Sequence, residues 1–461
     1  MPGAHIKVSA GAAAQASRAR PGRPVTAAGL ASAAGPDRSS IPPIEALLSP
    51  AGVVGRGRPV RAPRGLGRAR LYYADLGSGQ PGLRPLARHK HGWSRLLDDT
   101  ALARTVAIAE AAERYAGREH DVPVWRCAVT ELRGPVIDVD RLPRCSDREY
   151  ADPGCPLVPF DPAAAIGWTQ GTDLHTFEKT WVPAVMACYG TPPRSPAERF
   201  WYQISTGYAV HTDPAEAVVR AIMELIERDV IAVLWLQRLP LPRVDNRLLS
   251  ASSKYLLDWS DRHFIETLLF DATSDLGVPA AYCLQLAEYD QWAAQSVGCA
   301  TGRTITEAAE KALLDTITVR SICYTDEPLI EDYRKFDSVV EGARFMARAE
   351  RAGAFSFLTD AAVRHQDPPT PIPAGSAAAL ACLLEALGRA GMQVVVVDRT
   401  TDELRRVGLT AVAALIPDLQ PMTLHPLARY LGHPRLYSAP ATMGYRSLPE
   451  EETNPWPQPF S

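Results

Sequence analysis

The chain has 461 residues, enough for one large domain or two to three ordinary ones, and its 46% hydrophobic content is that of a globular protein. The formal net charge of -3 argues against general nucleic-acid binding by the folded part. A membrane-spanning helix needs about 18 consecutive apolar residues, and no such run is present. A secretory signal is also lacking, so we expect a cytoplasmic protein.

The charge is unevenly distributed along the chain. Residues 1–70 contain 11 Lys or Arg but 2 Asp or Glu. Most of the first forty residues are small, polar and aperiodic. We therefore predict a disordered basic arm over residues 1–40.

The eight cysteines are scattered, and none forms a C-x-x-C pair. There is no H-E-x-x-H sequence either, so neither a structural nor a hydrolytic zinc site is predicted. Free, mostly buried thiols in a reducing compartment are the simplest interpretation.

The first half of the chain predicts mixed elements. In chain order we predict a short helix and a strand in IPPIEALLSPAGVV, a strand in RARLYYADLG, a loop carrying RHKHGW, a helix over residues 99–117, a strand in VPVWRCAVT and a largely looped segment with short strands over residues 143–196.

The second half continues the alternation. We predict a strand in FWYQISTGYAV, a helix over residues 213–236, strands in VPAAYCLQLA and WAAQSVGCATG, a helix over residues 306–324, a helix in SAAALACLLEALGRAG, and strands in MQVVVVDRT and LTAVAALIPDLQP. This irregular order of strands and helices predicts an α+β fold rather than a doubly wound sheet.

One sequence frame, Glu-x-x-Glu-Arg, occurs in two of the predicted helices, 114 residues apart, as AIAEAAERY and AIMELIERD. On a helical wheel the second helix carries one charged stripe, made of Glu216, Arg220, Glu224, Glu227 and Arg228. The first helix repeats the stripe with Glu110, Glu113 and Arg114. For either helix alone, a solvated face with i,i+4 ion pairs is the common interpretation. The repetition, the uncharged residues between the charges and the nearby Ser-Thr-Gly turn favour a buried site.

Facing carboxylate stripes repel each other unless a cation lies between them. Mg²⁺ prefers carboxylates, water and phosphates as ligands, and guanidinium groups such as those of Arg114 and Arg228 bind phosphate in a bidentate manner. The predicted metal ligands are Glu110, Glu113, Glu224 and Glu227. The sequence contains no phosphate-binding glycine motif, so it predicts a Mg²⁺–nucleotide pocket between helices without a P-loop.

These segments resemble the YcaO-domain family. STGYAVHTDPAEAVVRAIMELIERD is similar to its central helix motif, ALARTVAIAEAAERY to its first, and GCATGRTITEAAEKALLDTITVRS to its third, with Asp315 where Glu is usual. The resemblance implies a YcaO-type fold over residues 41–444, with Glu-rich helices on mixed or antiparallel sheets, and ATP and Mg²⁺ as cofactors. We assign further nucleotide contacts to Ser205, Glu216 and Arg320.

The Pro-rich tail over residues 445–461 resembles the ending of the azoline-forming branch of that family. Its alternating prolines are Pro455, Pro457 and Pro459. Such a segment is stiff and extended. We therefore expect Phe460 to anchor in an apolar notch and the Ser461 carboxylate to act as general base in the pocket.

In that branch the resemblance implies ATP-dependent cyclodehydration of Cys, Ser or Thr in a ribosomally made precursor peptide. The side chain attacks the preceding amide carbonyl, ATP phosphorylates the oxyanion, and phosphate leaves to give a thiazoline or oxazoline. No fused ThiF-like leader-binding domain with its C-x-x-C pairs is seen, so we expect a separate leader-binding partner. A flavin-dependent dehydrogenase that oxidises the rings and a homodimer are left open.

Three departures from the family pattern keep two alternatives open. The usual Gly-Lys-Gly before the first helix is missing, with Lys90 as a poor substitute, Val106 replaces a usual Ser, and Thr318 replaces a usual Gln. The first alternative is an enzyme that forms thioamides or amidines. The second is a degenerate scaffold that binds partner and peptide without using ATP.

Overall fold

A computed structural model describes the chain over residues 43–49, 52–77, 91–118, 123–190, 192–336, 338–422 and 425–460. The predicted arm over residues 1–40, Lys90 and Ser461 lie outside the described residues. The described residues belong to one compact unit, and no helix among them is long and apolar enough to cross a membrane. The division into a domain over residues 41–444 and a tail over residues 445–461 stays a prediction.

The strands described form three antiparallel sheets. They are β1 Val54–Val60, β2 Ala69–Leu76, β3 His91–Leu97, β4 Trp125–Cys127, β5 Ile166–Asp173, β6 Lys179–Pro183, β7 Tyr208–His211, β8 Glu266–Asp271, β9 Ala280–Leu286, β10 Gln295–Thr301, β11 Val395–Asp398 and β12 Thr410–Leu415. Two sheets have the orders β1-β2-β3 and β10-β9-β8. The third has the order β4-β5-β11-β12-β7, with β6 paired to β5.

The helices are α1 Thr100–Ala116, α2 Asp147–Tyr150, α3 Ala184–Ala187, α4 Pro214–Gln237, α5 Ala251–Arg262, α6 Ile305–Val319, α7 Val339–Met346, α8 Ser356–Thr359, α9 Ser376–Arg389, α10 Asp402–Arg406 and α11 Arg435–Thr442. The three predicted Glu-bearing helices, α1, α4 and α6, each begin at a capping side chain. Asp99, Asp213 and Thr304 accept a backbone N–H from the first turn, which satisfies a donor that the helix itself leaves unpaired.

Each three-stranded sheet leads into a helix that packs back onto it, β3 into α1 and β10 into α6. The helix comes so close that glycine is required in the strand. A Cβ atom on Gly92 would overlap the carbonyl oxygen of Ala107, and one on Gly298 would lie 2.7 Å from that of Ala312. These two glycines therefore set the distance between sheet and helix.

Helix α4 lies at the centre of the largest hydrophobic cluster. It packs on β7 and β12, on β10, and against α9 and α11, with Ile222 and Ile226 fully buried. Its charged stripe is half-buried at Glu224, Glu227 and Arg228. The stripe is thus neither a solvated face nor part of the apolar core.

The predicted α+β fold is confirmed, but some local predictions are wrong. The predicted strand FWYQISTGYAV begins only at Tyr208, because the preceding segment turns through Gly207 at a φ of 85°. His91–Trp93 were predicted as loop and lie in β3. The segment over residues 143–196, predicted as largely loop with short strands, contains the strands β5 and β6 and is otherwise mostly irregular, as predicted.

Candidate functional site

The carboxylates of α1 lie beside the edge of β3. The backbone N–H of Trp93 donates to one oxygen of Glu110 at 2.9 Å, and Arg114 donates to the other at 2.9 Å. The first contact depends on Gly92, which allows the strand to approach the helix. Glu113 follows Glu110 by three residues and so shares its face of the helix. Within the described part of the chain, Glu113 forms no hydrogen bond or ion pair.

The carboxylates of α4 are held from several sides. Glu224 accepts the backbone N–H of Gly207 at 3.1 Å. Glu227 accepts the backbone N–H of Thr301 at 2.8 Å and its hydroxyl at 3.3 Å. Arg228 lies 3.6 Å from Glu224 and 3.1 Å from Glu227. The end of β10 and the turn before β7 therefore both fix the α4 carboxylates.

The turn over residues 205–207 joins the two frames. Arg114 of α1 donates to the hydroxyl of Ser205, and Gly207 of the same turn donates its N–H to Glu224 of α4. The left-handed backbone of Gly207 directs this N–H, and non-glycine residues rarely adopt that conformation. The structure thus brings the two predicted frames together, with Ser205 between them.

Burial is the largest cause of the pKa shifts in this group. It raises the pKa of Glu113 well above its ordinary value, and the charges of Glu224 and Glu110 add to the shift against that of Arg114. Burial also raises the pKa of Glu224 and of Glu227. Carboxylates this close and this poorly solvated favour protonation or a bound cation over full ionisation.

The third predicted helix contributes Asp315. Its carboxylate lies 3.3 Å from Arg95 of β3, and its charge helps to raise the pKa of Glu227. The hydroxyl of Thr318 donates to carbonyl oxygens of its own helix. Val106 is half-buried on α1. Asp315 therefore adds a fifth carboxylate to the group, while the hydroxyl of Thr318 is bonded within its own helix.

Two residues predicted to contact nucleotide have partners outside this group. Glu216 lies 3.2 Å from Arg220 and also pairs with Arg303. Arg320 was predicted to contact nucleotide, but its side chain is 3% exposed and pairs with Asp290 at 2.8 Å. The physical reason is the helical period: Arg320 keeps helical backbone angles at the end of α6 and follows Asp315 by five residues, so it points about 140° away from that carboxylate.

The last residue of the α4 frame, Asp229, has a structural role. It is fully buried, accepts the backbone N–H of Gln420 at 2.8 Å and pairs with Arg435 at 2.8 Å. Arg435 also pairs with Asp275 at 2.7 Å. Breaking such a buried charge network is strongly destabilising, so Asp229 supports the helix that carries the site.

The Pro-rich tail docks on α4. The indole N–H of Trp235 donates to the carbonyl oxygen of Trp456 at 3.2 Å. Of the three tail prolines, Pro455 is exposed, whereas Pro457 and Pro459 are buried. The tail has no regular structure beyond the short turn Glu450–Glu452, as predicted.

The tail leads toward the α4 carboxylates. Phe460 is 6% exposed, in the predicted apolar notch, and contacts Tyr282 edge-on with ring centroids 5.6 Å apart. Tyr282 pairs with Cys299 of β10. Burial raises the pKa of the Cys299 thiol well above its ordinary value, and the nearby charge of Glu227 adds to the shift. Phe460 thus contacts β9, the strand paired with β10, whose Thr301 bonds Glu227, and the role of Ser461 stays a prediction.

The carboxylate oxygens of this site are ligands of the kind that Mg²⁺ prefers. In the arrangement described, no three His, Cys, Asp or Glu residues converge as metal ligands within the described ranges. Instead, Arg114 and Arg228 neutralise the carboxylates. Glu113 lacks a hydrogen-bond partner in the described part and burial raises its pKa, and its role as a metal ligand stays a prediction.

Sequence reasoning missed the groups that hold these carboxylates. Gly92 and the N–H of Trp93 lie in a segment predicted as loop. Thr301 ends a strand that was predicted, but a backbone N–H carries no sequence signal. The glycines of HGW and GCATG were the available indication, because glycine within a strand often marks a close approach.

A family profile described as YcaO cyclodehydratase, ATP- and Mg²⁺-binding, matches residues 98–420. A protein of Rhizobium leguminosarum bv. trifolii, described as an uncharacterized protein in the tfuA 3' region, is 28% identical over 236 residues. Those residues are 47% of this chain and 53% of that protein.

Solved structures share the fold. A heterocyclase in complex with substrate and cofactor has a TM-score of 0.75 at 24% identity, over 90% of this chain and 56% of that one. YcaO from Methanopyrus kandleri, bound with AMPPCP and Mg²⁺, has a TM-score of 0.55 at 18% identity, over 80% and 86%. This chain spans about half the length of the curated relative and of the heterocyclase. Because the family profile covers most of its length, the chain belongs to the YcaO family, which is described as binding ATP and Mg²⁺.

Proposed function

We propose that this chain is an ATP-dependent cyclodehydratase subunit that converts Cys, Ser or Thr residues of a ribosomally made precursor peptide into thiazolines or oxazolines. One observation carries the proposal: the two Glu-x-x-Glu-Arg frames meet at the turn over residues 205–207, with carboxylates whose pKa values burial raises. Membership of a family described as ATP- and Mg²⁺-binding supports this use of the pocket.

The carboxylates of both frames would hold Mg²⁺, which supplies positive charge and orients phosphate oxygens. These ligands are Glu110, Glu113, Glu224 and Glu227. With the carboxylates so neutralised, Arg114 and Arg228 would turn their guanidinium groups to the phosphates of ATP. The hydroxyl of Ser205, now bonded to Arg114, lies at the junction and would contact the same phosphates.

The proposed reaction proceeds on the peptide. The thiol or hydroxyl of the modified residue attacks the preceding amide carbon, and its proton passes to a base. The resulting oxyanion takes the terminal phosphoryl group of ATP and releases ADP. Loss of the amide proton and of phosphate then forms the C=N bond, so the peptide loses one water, whose oxygen leaves in phosphate. Guanidinium groups placed at the developing charge stabilise these steps.

Recognition of the precursor is assigned to a separate ThiF-like leader-binding partner, and a flavin-dependent dehydrogenase would act afterwards on the rings. By holding the leader of the precursor, such a partner would raise the effective concentration of the residues to be modified at the pocket.

The experiment follows peptide mass. The full chain is mixed with Mg·ATP and with candidate precursors and partner proteins encoded by neighbouring genes. Loss of one water per modified residue, with matching ADP release, supports cyclodehydration. Exchange of oxygen for sulfur supports thioamide formation instead, and binding without any mass change supports the scaffold.

A matched pair of variants assigns the chemistry to the pocket. Glu224→Gln should abolish the mass change. Glu385→Gln removes a carboxylate from an exposed i,i+4 pair on α9 and should leave the change intact. Equal activity of the two variants would contradict the proposed site.

A further inference from the structure

A second cavity, of about 580 Å³, lies where α5, α6 and the β9–β10 hairpin end. Its volume is within the range of about 300–1,000 Å³ that is typical of ligand pockets. None of its lining residues belongs to the carboxylate group. The cavity is therefore a separate feature, and it is the place where Arg320 is found.

Three exposed aromatic side chains border this cavity. Phe264 is 89% exposed, Tyr289 is 90% exposed and Tyr324 is 51% exposed. Phe264 has a φ of 58°, a conformation that bulky residues rarely adopt, and it holds the ring in solvent. Single exposed apolar side chains are ordinary, but several of them around one cavity mark an interaction site.

The lining of the cavity includes a buried cation with unused donor capacity. Nη2 of Arg320 donates to Asp290 at 2.8 Å, while its Nη1 is buried and has no hydrogen-bond partner in the described part of the chain. Asp290 also accepts from the hydroxyl of Tyr324 at 2.5 Å and from two backbone N–H groups of the hairpin. Its lone pairs are thus largely used.

The charge around the cavity is consistent with an acidic occupant. Arg64, which is exposed, lines it together with Arg320, and Asp290 is the acidic lining residue. Because Asp290 already pairs with Arg320, the charge of Arg64 is left uncompensated within the lining. Tyr and Arg, which this cavity combines, are the residue types enriched at the energetic centres of protein interfaces.

We propose that this cavity binds a short extended segment of a partner protein in which an acidic residue stands beside a bulky apolar one. The apolar side chain packs between Tyr289 and Phe264, and the carboxylate accepts from Arg64. This surface is independent of the proposed function, since no residue of the carboxylate site takes part.

A displayed library of random short peptides, selected on the immobilised full chain, provides the test. Selected peptides are then synthesised, and their dissociation constants are measured by fluorescence anisotropy. Tyr289→Ala and Arg64→Glu are the test variants, because both residues are exposed and their substitution leaves the core intact. Phe177→Ala is the control, since Phe177 is 48% exposed and does not line the cavity.

Enrichment of peptides that pair Asp or Glu with an aromatic or aliphatic residue is the expected result. Both test variants should bind these peptides about tenfold more weakly, and the control should bind them as tightly as the original chain. Selection without acidic residues, binding that survives either test variant, or a selection that yields no binder would overturn the proposal.

Discussion

The two Glu-x-x-Glu-Arg frames have the same residues but differ in how their charges are compensated. In α4, Arg228 lies between Glu224 and Glu227, and Thr301 adds an N–H and a hydroxyl to Glu227. Every charged group of this frame has a partner. The α4 frame is therefore largely set in place before any ligand arrives.

The α1 frame is compensated only in part. Arg114 pairs with Glu110 and reaches across to Ser205, and Glu113 is left without a partner among the described residues. The pKa of Glu113 is accordingly raised well above its ordinary value. On the proposed assignment of the metal ligands, α1 is the half of the site that a cation would complete, while α4 is the half whose charges are already paired.

The largest effect should come from removing one carboxylate of each frame. Glu113→Gln and Glu224→Gln keep the side-chain shape but lose the charge that holds Mg²⁺, so ATP turnover should fall about a hundredfold or more. Peptide-dependent ADP release measures it, with Glu385→Gln as control. Near-normal turnover of Glu113→Gln would contradict the proposed difference between the two frames, because α1 would then not depend on a cation.

The arginines should show a smaller effect. In Arg228→Lys and Arg114→Lys an ammonium group replaces the planar guanidinium group. Because an ammonium group cannot bind phosphate in a bidentate manner, the KM for Mg·ATP should rise about tenfold. Steady-state kinetics at varied ATP concentration measure it. Arg389→Lys, in an exposed i,i+4 pair, is the matched control. If Arg228→Lys leaves KM unchanged, Arg228 has a structural role within its frame.

The tail contacts α4, so weakening its attachment should slow ring formation without changing the affinity for nucleotide. Phe460→Ala removes the contact with Tyr282 and loosens the segment beside the site. Ring formation should slow by about tenfold, since small misplacements at a reacting centre are costly. The Kd for Mg·ATP, measured by calorimetry, should not change, and an equal loss in both measurements would contradict this division.

A stability effect should follow from the close approach of β3 to α1. Gly92→Ala forces strand and helix apart and should lower the free energy of unfolding by about 1–3 kcal/mol. Gly67→Ala is the control, because a Cβ atom there meets nothing within 4 Å. Chemical denaturation measures both variants. Equal stability of the two would show that β3 yields readily and that its contact with Glu110 is not fixed by the backbone.

The smallest effect concerns the stability of the metal-free protein. Here the substitution of Glu113 should stabilise the fold, whereas Gly92→Ala should destabilise it. A carboxyl group whose pKa is raised on folding destabilises the fold as pH rises through and above its unfolded pKa of about 4.5, since the folded chain then binds more protons. Glu113→Gln should therefore melt about 2 °C higher at pH 8 without Mg²⁺. The difference should vanish near pH 4.

Added Mg²⁺ should reverse the order of the two melting temperatures. It should raise the melting temperature of the original chain at pH 8 and leave Glu113→Gln nearly unchanged, because the variant has lost a ligand. Scanning calorimetry at both pH values checks it. A variant that melts lower than the original chain in metal-free buffer would show that Glu113 is stabilised by its surroundings.

The features that were predictable from sequence are local. Helices α1 and α4 were found from their periodicity and from the capping residues Asp99 and Asp213, because both signals lie within one or two turns of the helix. The compensation of the frames was not predictable. The N–H of Thr301 reaches Glu227 across 74 residues, and Arg320 pairs with Asp290 across 30 residues. Tertiary contacts decide both, and a side-chain pattern does not encode them.

Helix α4 carries the carboxylate of Glu227 and, eight residues later, the indole of Trp235 that anchors the tail. At 1.5 Å of rise per residue the two positions are about 12 Å apart along the helix axis. A helix packed on both sides does not stretch, so this distance between Glu227, a proposed metal ligand, and the indole that anchors the tail is constant. On the proposed assignment, the metal site and the attachment point of the tail therefore cannot move independently of each other along α4.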